Sequence, residues 1–207
     1  MFIILFFVFI STLSLIFTYK ISKIFNLYDL PNKSKIHKNK IPNIAGLGLL
    51  PIAIFIILLN EIHFKIIITF VLFMIVIILG IIDDIKNLKP QLKILYLLIP
   101  ILIFTYSVYT VSSLGNYNGI NINLGSLGFL FTVLSILLLT NSFNYIDGID
   151  GLLSINLIIT FSYFIFINFN LVNILLPIIC FLIVYTLFNL NFLNFFPKQF
   201  LGDCGSL

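Results

Sequence analysis

Seven long apolar runs restrict what this chain can fold into more than any motif does. They cover approximately Phe2–Tyr19, Ile44–Leu59, Ile66–Ile82, Leu92–Val111, Leu127–Phe143, Leu152–Ile167 and Leu171–Leu190. Each is close to the roughly 20 residues a helix needs to cross a bilayer. The runs are continuous rather than alternating, which disfavours a β-barrel. With 61% hydrophobic and 9% charged residues and a mean hydropathy of +1.21, a soluble domain is excluded. The expected fold is an all-α polytopic membrane protein with about seven transmembrane helices, forming one membrane domain over residues 1–207. The first run has no basic n-region and no small-residue cleavage site, so it reads as a retained span rather than a signal peptide. Cys180 and Cys204 give neither a disulfide framework nor a metal-binding spacing.

Charges sort by side. If the runs cross the membrane in turn, the loops after the first, third, fifth and seventh share a face. The first of these loops holds Lys20, Lys23, Lys33, Lys35, Lys38 and Lys40, the second Lys86, Lys89 and Lys93, and the last Lys198; only Lys65 lies opposite. The positive-inside rule makes the lysine-rich face cytoplasmic and puts the N-terminus outside. Asp29, Asp83, Asp84, Asp147, Asp150 and Asp203 fall on the same face, and only Glu61 does not. Acids contribute little to topology, so their sorting points to one site built from cytoplasmic loops. The net charge of +4 comes from lysine alone. It accompanies abundant Ile, Phe and Asn, which fits a codon bias, and no nucleic-acid partner is read from it.

The polar stretch Asn141-Ser-Phe-Asn-Tyr-Ile-Asp-Gly-Ile-Asp-Gly-Leu152 stands out among these runs. Acids in so apolar a setting are functional candidates by default. Asn141, Asn144, Asp147 and Asp150 are spaced by three, and three helical residues turn roughly 300°. The first and last of the series therefore end up on opposite sides of a straight helix. A helix end near Gly148 and a new start near Asp150 would let the groups converge, and glycine tolerates the left-handed turn that such a break needs. A membrane helix ending in a polar loop is the plainer alternative.

Three other loops carry chemistry. Asp29-Leu-Pro-Asn-Lys-Ser-Lys-Ile-His37 leads to Pro42 and Gly46, and its lysines and His37 could hold phosphates; the lysines could equally be membrane anchors. Gly80-Ile-Ile-Asp83-Asp84 closes the third run. Its adjacent carboxylates call for a divalent cation, or one of them could take a proton, with Lys93 as a balancing charge. Gly202-Asp203-Cys-Gly-Ser206 fits a tight turn with Asp203 as an oxygen ligand for Mg²⁺.

Taken together, the four loops resemble the polyprenyl-phosphate N-acetylhexosamine-1-phosphate transferases, which are membrane enzymes of glycosyltransferase family 4. The matching patterns are Asp-x-Pro-Asn…His…Pro…Gly at Asp29–Gly46, Gly-x-x-Asp-Asp at Gly80–Asp84, Asn-x-x-Asn-x-x-Asp-Gly-x-Asp-Gly-Leu at Asn141–Leu152, and Phe-x-Gly-Asp-x-Gly-Ser at Phe200–Ser206. They occur in order, in alternate loops. The resemblance implies transfer of a sugar 1-phosphate from a UDP-N-acetylhexosamine to polyprenyl (undecaprenyl) phosphate with release of UMP, in cell-wall or surface-polysaccharide synthesis. It implies Mg²⁺ as cofactor, with Mn²⁺ as an alternative, held by Asp203 and Asn144. Asp83 and Asp84 would place or deprotonate the lipid phosphate, with Asp203 completing the catalytic set. Asn141, Asp147, Gly148 and Asp150 would serve the substrate, the last three at the uridine with Phe200 as a stacking face. Lys35, His37, Lys40 and Lys93 would contact phosphate or sugar.

The sequence also departs from the family pattern. The usual first-loop Arg near Ser34 is missing, and Ala45 replaces the first glycine of a Gly-Gly pair. Family members continue through further spans and a histidine-bearing loop. The resemblance therefore implies the N-terminal part of a longer fold, partnered by a C-terminal half or by a second copy. An inactive remnant or subunit of this fold is one alternative. An ion-coupled transporter is the other, and it would need carboxylates at mid-membrane depth.

Overall fold

The computed structural model describes residues 2–31, 39–60, 63–86, 88–192 and 196–207. Each expected apolar run is a helix: α1 (Phe2–Phe25), α2 (Leu49–Leu59), α3 (Phe64–Lys86), α4 (Pro90–Ser107), α5 (Leu127–Ile146), α6 (Leu152–Ile167) and α7 (Val172–Asn189). Among the described residues, five helical segments are long and apolar enough to cross a membrane: Phe2–Phe25, Phe64–Lys86, Pro90–Ser107, Leu127–Ile146 and Phe169–Asn189. Ala45–Leu59 and Leu152–Ile167 are apolar but shorter. The first span overshoots its apolar run by about a turn and a half, so Lys20 and Lys23 ride on the end of α1.

The helices form two packed groups. In one, α7 packs against α1, α2 and α6, and its residues Phe181, Tyr185 and Phe188 are fully buried among Phe7, Leu15 and Ile52. In the other, α3, α4 and α5 pack in series, with Leu97, Ile101 and Val133 at their centre. Side chains such as Phe2, Phe64 and Phe166 project outward, as lipid-facing residues do. The seam between the groups is bridged at one end by the short helix α8 (Asp203–Ser206), which packs on α3, on α5 and on a 3₁₀ turn at Ala45–Gly48.

Glycines make that bridge possible. A Cβ on Gly46 would sit 2.4 Å from the Gly205 Cα, and a Cβ on Gly80 would sit 2.4 Å from the Cys204 Cα. Gly202, at φ +76°, lies where a Cβ would meet the Asn43 carbonyl oxygen at 2.2 Å. The glycines of three separate motifs thus serve one close backbone approach. Further pairing comes from strands β1 (Tyr28–Asp29) and β2 (Ile41–Pro42), which are antiparallel, and from Phe200 N–H to the Pro42 carbonyl at 2.8 Å. At the opposite end of the molecule, β3 (Ser113–Tyr117) and β4 (Ile120–Asn123) form a hairpin between α4 and α5. Its turn residues Asn118 and Gly119 both have positive φ, as a two-residue Asn-Gly turn requires.

Gly80→Ala is expected to lower stability in detergent by about 1–3 kcal/mol or more, because the new methyl meets backbone that has no rotamer to escape into. Gly148→Ala is the control, since its Cβ would meet nothing closer than 3.4 Å. Thermal unfolding of the two variants checks the difference.

Candidate active site

The motif side chains meet where α3, α5 and α8 converge. Asp83 and Asp84 lie in the last turn of α3, and Lys93 lies in the first turn of α4. The Lys93 ammonium bridges two carboxylates, at 2.9 Å from Asp83 Oδ2 and 2.8 Å from Asp203 Oδ1. Asp83 Oδ1 also accepts the Leu88 N–H at 2.8 Å. From α5, the Asn144 amide nitrogen donates to Asp203 Oδ1 and, at 2.9 Å, to the Ser206 hydroxyl. Two helices distant in sequence, α4 and α5, thus share the Asp203 carboxylate.

Asp84 turns the other way. Its Oδ1 accepts from Asn43 Nδ2 at 2.8 Å and from the Asp203 N–H at 3.1 Å, and its Oδ2 accepts from the Cys204 N–H at 3.3 Å. A carboxylate at the first N–H groups of a helix meets otherwise unpaired donors and a favourable dipole. The two adjacent acids therefore divide their tasks: Asp83 faces the lysine, and Asp84 grips the turn that carries Asp203.

The expected helix break is present. α5 ends at Ile146 and α6 begins at Leu152, and the left-handed glycine of the break is Gly151, at φ +74°. The four polar groups do not converge on one point. Asn141 donates to the Leu137 carbonyl of its own helix. Asn144 faces Asp203, while Asp150 is exposed and pairs with Lys198. Gly148 is an exposed turn residue. Asp147 is half-buried and accepts no hydrogen bond from the described residues. Burial, with the charges of Asp203 and Asp150, pushes its carboxyl up to about 7. Burial also raises the Cys204 thiol well above its usual range, and Cys204 Sγ donates to the Leu201 carbonyl at 3.4 Å. That cysteine stays a thiol and packs as a small apolar group.

Phe200 lies under the Lys198 ammonium, 5.4 Å from ring centroid to Nζ. A cavity of about 400 Å³ opens beside this pair, lined by Tyr19, Tyr28, Asn39, Lys40, Ile41, Pro42, Asn191, Pro197 and Lys198. Lys40 thus stands at a concavity of ligand size. Lys35 and His37 lie outside the described residues.

Residues that sequence reasoning missed hold this end together. Asn189, the last residue of α7, accepts the Gly151 N–H at 2.6 Å and donates to the Gln199 carbonyl at 3.1 Å. The Gln199 side chain donates to the Leu15 carbonyl at 3.0 Å and accepts from Thr18 at 3.1 Å. Asn189, Gln199 and Thr18 are all buried. An amide at the end of an apolar run was a usable signal for Asn189; Gln199 had none, because its partners are 181 and 184 residues away. Lys198 and Asn43 were visible only as flanking residues.

A model of glycosyl transferase family 4 matches residues 66–207, more than half of the sequence. The chain belongs to glycosyl transferase family 4. No curated protein gives a significant match. Membership makes this a membrane glycosyltransferase of the class that transfers a sugar phosphate to a polyprenyl phosphate. The motif acids of the transferase stand at helix ends, whereas an ion path would need them at mid-span.

The transferase's donor set can be weighed against a divalent cation. Among the described residues, no group of three or more His, Cys, Asp or Glu side chains is arranged to hold a metal ion. Mg²⁺ asks for less, because it commonly takes one or two carboxylates plus substrate phosphates and water. Asp203 with Asn144 and nearby Asp83 supplies hard oxygen donors of that kind. Among the described residues, Asp83 and Asp203 share the one ammonium of Lys93, a net negative pair that fits a cation.

Two outcomes are expected. Asn189→Leu leaves the buried Gly151 N–H and Gln199 carbonyl unpaired and should cost about 2–4 kcal/mol, measured as a lowered midpoint of thermal unfolding with faster amide exchange at Gly151. For Asp147, the folded value of about 7 lies above the unfolded carboxyl value of about 3.9. Its destabilising effect is thus absent below about pH 4 and grows as the pH rises toward 7. Asp147→Asn should gain stability over the parent chain between about pH 5 and pH 8, and a pH-independent difference would contradict this.

Proposed function

We propose that the transferase moves N-acetylhexosamine 1-phosphate from a UDP-sugar to polyprenyl phosphate, with release of UMP, at the cytoplasmic face of the inner membrane. The observation that carries this reading is Asp203 held jointly by Lys93 and Asn144 beside Asp83, at the membrane end of three helices. A membrane-anchored phosphate and a soluble nucleotide-sugar can meet only at such a boundary.

In the reaction, a terminal oxygen of the lipid phosphate bonds to the sugar-linked phosphorus of the UDP-sugar. The bond from that phosphorus to the bridging oxygen breaks, and UMP leaves with the bond's electrons. The attacking phosphate is already ionised near neutral pH, so positioning and charge neutralisation matter more than proton removal. Asp203 and Asn144 would hold Mg²⁺, or alternatively Mn²⁺, which when bound neutralises the diphosphate and the leaving oxygen. Lys93 keeps Asp83 and Asp203 close and supplies positive charge near the transferring group. Asp83 orients the lipid phosphate with Lys93. Asp84 acts by fixing the turn on which Asp203 sits. Asp147 and Asp150 would meet the uridine, with Phe200 as stacking face and Lys40 and Lys198 at the adjoining cavity toward phosphate or sugar. Lys35 and His37, from the same loop as Lys40, are assigned to phosphate on the sequence pattern alone.

Purified full chain, supplied with polyprenyl phosphate, a UDP-N-acetylhexosamine and Mg²⁺, should release UMP and form a lipid-linked sugar diphosphate. Asp203→Ala should lower kcat by about 10²–10³-fold or more, the scale set by losing one fixed electrostatic stabiliser, and chelation should abolish turnover. A folded protein that binds UDP-sugar without turnover would indicate an inactive subunit of this fold. Neither binding nor turnover with any UDP-sugar would sink the proposal.

A further inference from the structure

The end of the molecule opposite the carboxylates carries a second organised surface. We propose that the β3–β4 hairpin is a membrane-interface anchor, laid with one face on the lipid surface opposite the active site.

Cross-strand pairing sorts its residues by chemistry. Tyr117 lies opposite Ile120, and Asn116 lies opposite Asn121. Directly opposed residues share a face, and alternate residues along a strand return to it. One face therefore carries Tyr117, Ile120 and Ile122, and the other Asn116, Asn121 and Asn123. An irregularity between Ser113 and Asn116 places Leu114 and Gly115 across from Ile122. Among the described residues the apolar face has no cover: Tyr117, Ile120 and Ile122 are 62%, 70% and 43% exposed. A hairpin standing in water has no reason to gather its apolar side chains on one face, whereas one resting on lipid does.

Its position agrees. Short links join its two ends to α4 and α5, both long and apolar enough to cross a membrane. The base is fixed against the start of α5. The Thr132 hydroxyl accepts the Val111 N–H at 2.9 Å, and a Cβ on Gly128 would meet the Val111 carbonyl oxygen at 2.4 Å. The Leu124 N–H closes the base on the Ser112 carbonyl at 2.9 Å. The root of the hairpin is thus held beside the second turn of a membrane helix, within reach of the head-group layer. Tyr106 and Tyr109, at the end of α4 and in the link to the hairpin, are exposed as well. Tyrosine is the residue that prefers this layer. Residues 108–126 contain no Lys, Arg, Asp or Glu, so the partner is the uncharged acyl–head-group boundary rather than anionic lipid.

The chain contains no tryptophan, which gives a clean probe. Ile120→Trp and Ile122→Trp report the apolar face, and Asn121→Trp the polar one; all three sites are exposed and should tolerate the change. Full chain is reconstituted into phosphatidylcholine vesicles, with or without lipid brominated near the glycerol end of its acyl chains. Tryptophan at 120 and 122 should emit further to the blue than at 121 and be quenched several-fold more by the brominated lipid. Tryptophan at 121 should be the one quenched by aqueous iodide, and neither pattern should depend on salt. Equal iodide quenching on both faces would overturn the proposal, placing the hairpin in water. Shielding of 120 and 122 from both quenchers would also overturn it, in favour of a protein partner. A second copy would be that partner if dilution with lipid removed the shielding.

Discussion

The charged cluster of the candidate site depends on how Asp84 grips one short turn. A carboxylate at the end of an apolar helix is costly unless it is satisfied, and here the first N–H groups of α8 and the Asn43 amide satisfy it. That contact fixes Asp203 to α3. It can form only because Gly46, Gly80, Gly202 and Gly205 let backbone meet backbone without an intervening side chain. Once the turn is seated, the two helix groups are joined at one end, and Asp203 reaches Lys93 from α4 and Asn144 from α5.

The cluster therefore has two layers with different physics. Lys93, Asp83, Asp203 and Asn144 form a partly open charged layer in which like charges are held together by one ammonium. Beneath the neighbouring Asp147–Gly151 turn lies a neutral buried layer of Thr18, Gln199 and Asn189, in which each amide is matched to a backbone or hydroxyl partner. Neutral amides suit that layer, because burying ions there would add a desolvation cost that the pairing would have to offset. The upper layer keeps excess negative charge, which suits a surface that handles diphosphates through a cation.

Sequence reasoning found the acids because a charge among Ile, Leu and Phe is conspicuous. It could not assign their directions. Asp83 and Asp84 are adjacent and chemically identical, yet one faces Lys93 and the other a backbone turn, because successive helical residues point about 100° apart. The three-residue spacing of Asn141, Asn144, Asp147 and Asp150 suggested convergence at the helix break. The break exists, but Asn141 stays bonded to its own helix and Asp150 turns to Lys198. The left-handed position is Gly151, which lacks a Cβ, and its N–H is held by Asn189.

The sequence by itself determined the membrane class, the helical segments and the family, since each follows from local apolar length or from residues close together in the chain. Alternation of seven crossings also gave the expectation that the motif loops share one face. Only the tertiary structure decided which glycines meet backbone, which aspartate faces Lys93 and which the α8 turn, and that buried Gln199 and Asn189 hold this end together. Those outcomes depend on contacts between segments up to 184 residues apart. Such contacts are set by packing between whole helices, and no local pattern encodes them.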